Sequence, residues 1–429
     1  MSSIRKYLVL GVAAVLAFEA TACSSNNGPG GSPGDTGAQS LTIALTSSPS
    51  ADALESIAKD FQQETGITVN IVQLTYDQIS TKVLLAAGQT KAAYDIVQFD
   101  SPMYPALVSG GALADLSSYV KNSTKYDYSD FSAQVQDYAM YGDKIMSIPL
   151  STEPYVLWSN TDLMTKAGVK PADTLDDYVA NAAAFSKIGA YGSANAFGAQ
   201  MSAYFWLQAV YMFGGTLTKP GTCESALDSP AVDAATKYYF DLLPTTPAMA
   251  INGGDNEMAS AFIQGDVGQV VTATGYYSIV ADPQQSSIPN SFVMTLPPSG
   301  SDGRHTLMFG WLIGVTANSA VKDQAWQFLE YALGKDSMDK LISLGAPPPA
   351  RTSLLNSPNA KQAIPYLDVL VQSSAVGVHL PYTPVMSEII TEVSAEISAA
   401  ASDGSGAAGF LPKARQSVTS ILADADVCL

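Results

Sequence analysis

The hydrophobic positions in the first part of the chain follow two different periods. Residues 41–45 alternate at every second position, which predicts a strand, whereas Leu54, Ile57 and Phe61 recur at helical spacing. A β-branched run at 67–72 then predicts a second strand. A strand, a helix and a strand in this order predict a βαβ unit, which requires two parallel strands and a right-handed crossover.

The same alternation of strands and helices continues along the chain. A third predicted strand ends at Asp100, at the edge where ligands bind in open α/β sheets. Gly168 predicts the end of one helix, and Thr174 with Asp177 resembles a capping box that begins the next. Beyond residue 315 the apolar positions are mostly at helical spacing. At 429 residues the chain exceeds what one core usually organises, so two α/β domains are expected.

Two short apolar runs, 145–150 and 155–158, are separated by four residues in a way that predicts a crossing between lobes. Pro149 and Pro154 cannot donate to a sheet ladder, so neither run is expected to be one continuous central strand. We interpret the stretch as a hinge that turns Glu153 towards a cleft. An ordinary hairpin with a solvated loop is the alternative.

The N-terminus has the features of a targeting segment. Two basic residues precede an apolar run at 7–18 that is too short to span a bilayer as a helix. Small residues directly before Cys23 resemble the lipobox of bacterial lipoproteins, in which this cysteine is lipidated. We therefore predict a lipoprotein signal peptide at 1–22 and a Ser/Gly-rich flexible tether at 23–40, with a simple secretory signal as the alternative.

Composition and charge exclude several classes of partner. Hydrophobic residues make up 47% of the chain and charged residues 14%, which is typical of a globular protein. The net charge of −18 repels nucleic acids and anionic membrane surfaces, so neither is a predicted partner.

His305 and His379 have no second ligand at metal-site spacing, and we predict no metal or other cofactor. Outside the cytoplasm Cys223 and Cys428 could form a disulfide, which sequence alone leaves open.

Four blocks of sequence together resemble one family, the extracellular solute-binding proteins of ABC importers, in the branch that carries sugars and polyols. Their order and spacing hold over most of residues 41–424. The blocks are DIVQFD with GGALADL at 95–116, GDKIMSIPL with WSNTDL at 142–163, AFIQG at 261–265, and GW before the strand at 312–315.

The resemblance implies an α/β fold of the periplasmic-binding-protein-like type II, with two lobes that close around a ligand cleft. We predict an N-terminal lobe from 41–150 plus about 273–318, and a C-terminal lobe from 151–272 plus about 319–429. It further implies a monomer, anchored outside the cell membrane through Cys23, that delivers a small carbohydrate or polyol to the membrane permease.

A neutral sugar presents hydroxyl groups and an apolar ring face, so its site needs aromatic rings and polar side chains. Each aromatic candidate could instead be a core residue, above all Trp206, whose neighbours suggest a buried helix. Tyr204 is its alternate on the same turn. The predicted ligand-binding residues are Asp100, Glu153, Trp206, Tyr204, Tyr276, Trp311, Arg351, Tyr76 and Tyr155.

Three polar candidates have distinct rationales. Glu153 lies seven places before Asn160, a spacing at which the maltose-binding members that this chain resembles hold a sugar-contacting carboxylate. Asp100 either contacts ligand or caps the helix expected to begin at Pro102. Arg351 follows three prolines, and its guanidinium either holds vicinal hydroxyls or pairs with a carboxylate between the lobes. Trp158 is expected to pack behind Asn160.

The sequence contains no Ser-His-Asp order, nucleophile elbow or phosphate-binding loop, so a binding protein is favoured over an enzyme. Paired carboxylates keep a glycoside hydrolase as the alternative. A structural surface lipoprotein would bind no small ligand. A glycerol-phosphate-type binding protein is disfavoured by the acidic surface, although Arg351 could serve one phosphate.

Overall fold

The computed structural model describes residues 40–425 and residue 428, apart from residues 48, 138 and 200. The predicted signal peptide, the lipidation site at Cys23 and nearly all of the predicted tether lie outside the described residues. The side chain of Tyr76, the first residue of a helix, is outside them as well.

Strands occur throughout the first three quarters of the described chain. They are β1 (Ser40–Thr46), β2 (Thr68–Leu74), β3 (Ile96–Asp100), β4 (Met140–Tyr141), β5 (Lys144–Ile145), β6 (Ile148–Asn160), β7 (Gln269–Ala273), β8 (Phe292–Thr295), β9 (Thr306–Val315) and β10 (Gly377–Val378).

Helices connect these strands and dominate the C-terminal part. They are α1 (Pro49–Thr65), α2 (Tyr76–Ala87), α3 (Tyr104–Ser109), α4 (Ser117–Asn122), α5 (Ala133–Asp137), α6 (Thr161–Ala167), α7 (Leu175–Lys187), α8 (Ser202–Met212), α9 (Pro230–Asp241), α10 (Ala248–Asn252), α11 (Asp255–Ile263), α12 (Tyr277–Val280), α13 (Lys322–Ala332), α14 (Lys335–Ser343), α15 (Thr352–Leu355), α16 (Pro358–Ala363), α17 (Leu367–Ser374), α18 (Met386–Ser402) and α19 (Gly406–Ala423).

Local signals in the sequence set several of these boundaries. Gly168 ends α6 in the left-handed conformation, with φ +69°, which glycine adopts without a steric penalty. Thr174 and Asp177 form the predicted capping box at the start of α7, each side chain accepting a hydrogen bond from the other's backbone N–H. Both predictions are confirmed because each depends only on neighbouring residues.

The main sheet runs in the order β2, β1, β3, β9, β6, β7, with β10 paired to β9 and β8 paired to β6. Strand β1 pairs in parallel with both β2 and β3, which confirms the βαβ unit predicted for the start of the chain. The pairs β3 with β9, β9 with β6 and β6 with β7 are antiparallel. Along this order the strand pairs are therefore parallel from β2 to β3 and antiparallel from β3 to β7.

Strand β6 carries the chain from one part of the sheet to the other. Residues 148–154 pair with β9, whereas residues 155–160 pair with β7 and β8. The crossing is present, but the expectation of an interrupted strand is wrong, because β6 is continuous over 13 residues. Pro149 lies at a register shift and Pro154 lies where the strand changes partners, so the missing N–H groups fall at irregular positions of the ladder.

Contacts of the late helices differ from the predicted lobe boundaries. Helices α13 and α14 pack on α1 of the N-terminal lobe: the rings of Phe61 and Phe328 are 5.2 Å apart, and Lys340 Nζ lies 2.5 Å from an Asp60 carboxylate oxygen. Strand β8, predicted in the N-terminal lobe, pairs instead with the C-terminal half of β6. These contacts differ from the predicted division at 273–295 and 322–343, and the lobe boundaries stay a prediction.

Helices α8, α9, α18 and α19 pack against one another. Trp158 on β6 is buried and stacks on Phe292 of β8, with ring centroids 5.6 Å apart. Trp158 therefore packs in the core, as predicted.

Within the described residues, no helix combines the length and the apolar character needed to cross a membrane.

A disulfide joins Cys223 to Cys428, whose Cα atoms are 5.1 Å apart. The pair is separated by 205 residues in sequence, so it ties the end of the chain to the loop between α8 and α9. The possibility that the sequence left open is thus confirmed.

We expect loss of this disulfide to lower the free energy of unfolding by about 2–5 kcal/mol, because the crosslink restricts the unfolded chain over a long loop. The measurement is thermal unfolding with and without reductant. The double variant Cys223→Ser/Cys428→Ser should match the reduced wild type and be insensitive to reductant. Equal melting temperatures for oxidised and reduced wild type would contradict the expectation.

Candidate functional site

A cavity of about 870 Å³ lies where the end of β3 and the middle of β6 and β9 meet elements of the second lobe. Such a volume is typical of small-molecule sites. Six of the nine predicted ligand-binding residues line it, namely Asp100, Glu153, Tyr155, Tyr204, Tyr276 and Trp311.

Strand pairing brings the polar residues to the cavity wall. Asp100 is the last residue of β3 and stands opposite Trp311 of β9, while Glu153 of β6 stands opposite Phe309 of the same strand. Asp100 is buried, and its Oδ1 accepts a hydrogen bond from the Met103 backbone N–H at 3.0 Å. Asp100 thus stabilises the turn after β3 and faces the cavity. The helix begins at Tyr104 without a side-chain cap, so the expected cap at Pro102 is absent, and contact with ligand stays a prediction.

Glu153 is partly buried and held by several neighbours. The Ser151 hydroxyl donates to its Oε1 at 3.4 Å, and the Trp311 indole N–H donates to the same carboxylate. A Cβ at Gly275 would lie 2.6 Å from Glu153 Oε2, so a larger residue at this position would displace the carboxylate. Burial raises the pKa of Glu153 to about 7; the two donated hydrogen bonds oppose the rise, and the charge of Asp100 adds to it.

This raised pKa predicts a pH-dependent stability. Between the ordinary value of 4.5 and about 7 the folded protein binds a proton at Glu153 that the unfolded chain has lost, so the free energy of unfolding falls as pH rises through this window. We expect the unliganded Glu153→Gln variant to match wild type near pH 4 and to be more stable by roughly 1–3 kcal/mol near pH 8. Denaturant unfolding at both pH values measures this, and a constant difference would contradict it.

Aromatic rings form much of the remaining wall. Phe309 packs against Tyr155 and Tyr204, with ring centroids 5.3 Å and 5.2 Å apart, and Tyr277 packs against Tyr366 at 4.8 Å. Phe309, Tyr277 and Tyr366 were missed from sequence. Phe309 could have been found, because it lies two residues before Trp311 on β9 and therefore faces the same side. Tyr366 has no such signal, since it precedes α17 in an irregular segment.

Met201 at the start of α8 also lines the cavity. Its φ of +66° is the only positive value among the non-glycine residues that the structure describes. A left-handed conformation is unfavourable for a residue with a side chain, and such residues cluster at functional sites.

Two predicted residues lie away from the cavity. Trp206 is fully buried in α8, where its Nε1 donates to Thr236 Oγ1 at 3.0 Å and its ring packs edge-on against Phe410. Its assignment to the site is wrong, because α8 is buried on all sides and Tyr204 is the only one of its described residues that lines the cavity.

Arg351 is likewise a buried structural residue, with 1% of its surface exposed. Its Nε donates to the Leu333 carbonyl at 2.9 Å, its Nη1 donates to the Asp127 carbonyl at 2.7 Å and lies 3.5 Å from Asp130, and its guanidinium lies over the rings of Tyr126 and Phe131. The predicted contact with ligand hydroxyls is therefore wrong. Of the two alternatives for Arg351, pairing with a carboxylate is the one that the structure shows, and the partner is Asp130.

The chemistry available at the cavity wall is hydrogen bonding and ring stacking. In the part of the chain that the structure describes, no group of three or more His, Cys, Asp or Glu side chains is arranged to hold a metal ion. Carboxylates and aromatic faces around one cavity are the combination that binds a polyhydroxylated molecule.

Sequence comparison identifies the family. The sequence model of the family described as bacterial extracellular solute-binding protein matches residues 47–339. The chain belongs to this family. As a solute-binding protein it shares 27% identity with a protein of Brucella abortus (strain 2308) over 322 residues, which are 71% of this chain and 74% of that protein.

Two further relatives of this solute-binding protein have ligands in their names. It is 24% identical to the erythritol/L-threitol-binding protein of Mycolicibacterium smegmatis (strain ATCC 700084 / mc(2)155) over 344 residues, 71% of this chain and 69% of that one. The ABC transporter solute-binding protein of Agrobacterium radiobacter K84, solved in complex with ribitol, superposes with a TM-score of 0.81 at 21% identity, covering 89% of this chain and 98% of that chain. The fold is therefore the two-lobed α/β fold of solute-binding proteins, as predicted.

Proposed function

We propose that this solute-binding protein captures a small carbohydrate or polyol between its lobes and delivers it to the permease of an ABC importer. The observation that carries the proposal is the cavity itself. The same 870 Å³ cavity is lined by carboxylates on β3 and β6 and by aromatic rings on β6, β9 and α8. The carboxylates can accept hydrogen bonds from ligand hydroxyl groups while the rings stack on the apolar face of a sugar. A relative named for erythritol and L-threitol, and a similar structure solved in complex with ribitol, support the same ligand class.

We further propose that the protein acts outside the cell membrane as a monomer anchored by lipid at Cys23, followed by the tether at 23–40. The lipobox-like residues before Cys23 and the extracellular family support this location. Metabolic labelling with a radioactive fatty acid tests it: label should enter the wild type and be absent from a Cys23→Ala variant. Label that persists in the variant would contradict lipidation at Cys23.

A thermal-shift screen followed by calorimetry tests ligand capture. The panel comprises ribitol, erythritol, mannitol and common mono- and disaccharides. A ligand that binds the folded state alone is expected to stabilise it by about 2.7 kcal/mol at a hundredfold excess over its Kd. If no compound of the panel raised the melting temperature or bound in calorimetry, the proposed function would be contradicted. Phosphorylated polyols are expected to bind more weakly, because no Lys, Arg or His stands among the described residues of the cavity wall.

One observation favours a second candidate, glycoside hydrolysis. Burial raises the pKa of Glu153 to about 7, and Asp100, whose charge contributes to that rise, lies on the same wall. Two carboxyl groups in different protonation states are the pair that glycosidases use. Incubation with oligosaccharides and chromatography of the products separates the two: intact ligand after prolonged incubation is expected for a binding protein, whereas released sugar would establish the enzyme.

A further inference from the structure

The charge of the cavity wall narrows the ligand class beyond neutral sugars and polyols. Asp100, Glu153 and Asp282 line the cavity, and none of the described lining residues is Lys, Arg or His. Hydrogen bonds from Gln284 and Gln285 hold the pKa of Asp282 below its ordinary range, so this group is charged. The side chains of the described wall that can carry charge near neutral pH are therefore all acidic.

Among the described residues, the neighbours that shift the pKa of Glu153 include no basic side chain. Besides burial, hydrogen bonds from Ser151 and Trp311 and the charge of Asp100 act on the pKa of Glu153, and Tyr366 lines the same cavity. A partly buried carboxylate without a cationic partner carries an uncompensated desolvation cost. Ligand hydroxyl groups donate hydrogen bonds to such a carboxylate, but they do not offset its charge. A cation on the ligand would do both.

The aromatic part of the wall suits a cation as well. Tyr155, Tyr204, Phe309 and Trp311 contribute rings to the same cavity as the carboxylates. The face of an aromatic ring attracts a cation by about 0.5–2 kcal/mol, most strongly when water is excluded. Rings that stack on a neutral sugar face therefore add affinity when the sugar carries an ammonium group.

Building on the function proposed above, we infer that the captured ligand is an amino sugar or amino polyol whose ammonium group binds against Glu153 and Asp100 beside the ring of Trp311. The placement follows from the sheet. Asp100 stands opposite Trp311 in the β3 and β9 ladder, and the indole of Trp311 donates to the Glu153 carboxylate, so these three side chains converge at one part of the wall.

The ammonium group and the proton on Glu153 compete. Glu153 is partly protonated near pH 7, and a bound ammonium group favours the charged carboxylate. Binding of an amine should release protons, and the affinity for glucamine should rise between about pH 5.5 and pH 8, since its primary alkyl amine remains protonated there. A neutral polyol gains only the stronger hydrogen bonds that its hydroxyl groups donate to ionised Glu153, so its rise in affinity over the same range should be smaller.

The decisive experiment is calorimetry at pH 7 on ligand pairs that differ only in one group: sorbitol against glucamine, glucose against glucosamine, and galactose against galactosamine, with N-acetylglucosamine as an uncharged amide control. In pairs that bind, the amine is expected to bind on the order of tenfold tighter or more. Its advantage should shrink when ionic strength rises from about 0.02 M to about 0.5 M.

The outcomes separate this inference from the proposed function. Neutral members that bind as tightly as the amines, or tighter, would overturn the amine inference and leave carbohydrate capture standing. If no compound of the pairs or of the neutral panel bound, both the amine inference and the proposed carbohydrate capture would be overturned. Titrations in two buffers of different ionisation enthalpy measure proton release, and absence of release on amine binding would also overturn the inference.

A variant tests the residue assignment. Glu153→Gln keeps the shape of the side chain and removes its charge, so the ratio of amine to neutral affinity is expected to fall on the order of tenfold. Glu388→Gln, an exposed glutamate on α18, is the control and should keep the wild-type ratio. An unchanged ratio in a folded Glu153→Gln protein would contradict the assignment.

Discussion

Replacing Glu153 with alanine is expected to abolish the stabilisation that ligand gives while leaving the unliganded protein nearly as stable as wild type. The carboxylate faces the cavity, and each hydrogen bond that it accepts from a ligand is charge-assisted, worth about 1.5–3 kcal/mol. A hundredfold loss of affinity at a fixed ligand concentration would reduce the ligand-induced stabilisation from about 2.7 to about 0.4 kcal/mol.

The unliganded stability distinguishes a binding role from a structural one. A carboxyl whose burial raises its pKa to about 7 costs stability in its charged form, so its removal does not weaken the fold. Thermal-shift curves of Glu153→Ala and of the exposed control Glu388→Ala, with and without ligand, measure both quantities. A large loss of stability without ligand, in Glu153→Ala alone, would mean that Glu153 is structural.

Replacing Arg351 with methionine is expected to lower the free energy of unfolding by about 3–5 kcal/mol. The guanidinium is almost fully buried, and its loss leaves the Asp130 carboxylate and the carbonyls of Leu333 and Asp127 without their cationic donor. The methionine side chain fills most of the space between Tyr126 and Phe131 but donates no hydrogen bond, so the deficit is electrostatic and not a cavity.

Arg415→Met is the matched control. Arg415 is paired with Asp233 at 2.7 Å, but its side chain is 30% exposed and that of Asp233 is 57% exposed. An exposed pair is worth about 0–1 kcal/mol, so this variant should stay near wild type. Urea unfolding of both variants gives the comparison, and a difference between them below about 1 kcal/mol would contradict the structural role of Arg351.

Much of the local structure could be predicted from the sequence. The βαβ unit at the start of the chain, the capping box of α7 and the glycine that ends α6 depend on residues within one or two turns of each other. Asp100 was placed correctly at the cavity because the end of a buried strand is a position that the period of apolar residues reveals.

The sequence did not predict which side chains of one helix line the cavity. Tyr204 and Trp206 lie on the same turn of α8 and have similar neighbours in sequence, yet Tyr204 reaches the cavity and Trp206 packs on Thr236 and Phe410. A helix that is apolar on every side has no period that marks its cavity face. The choice between the two is made by residues 30 or more positions away.

Arg351 shows the same limit in a polar residue. Three prolines and an arginine suggested a guanidinium held at a ligand, but Asp130, more than 200 positions away in sequence, accepts its charge. The sequence by itself determined the kinds of elements, their order and the family. Only the tertiary structure decided which aromatic and charged side chains share the cavity. Packing of strands and helices from distant segments brings these side chains together, and the local period of apolar residues does not predict that packing.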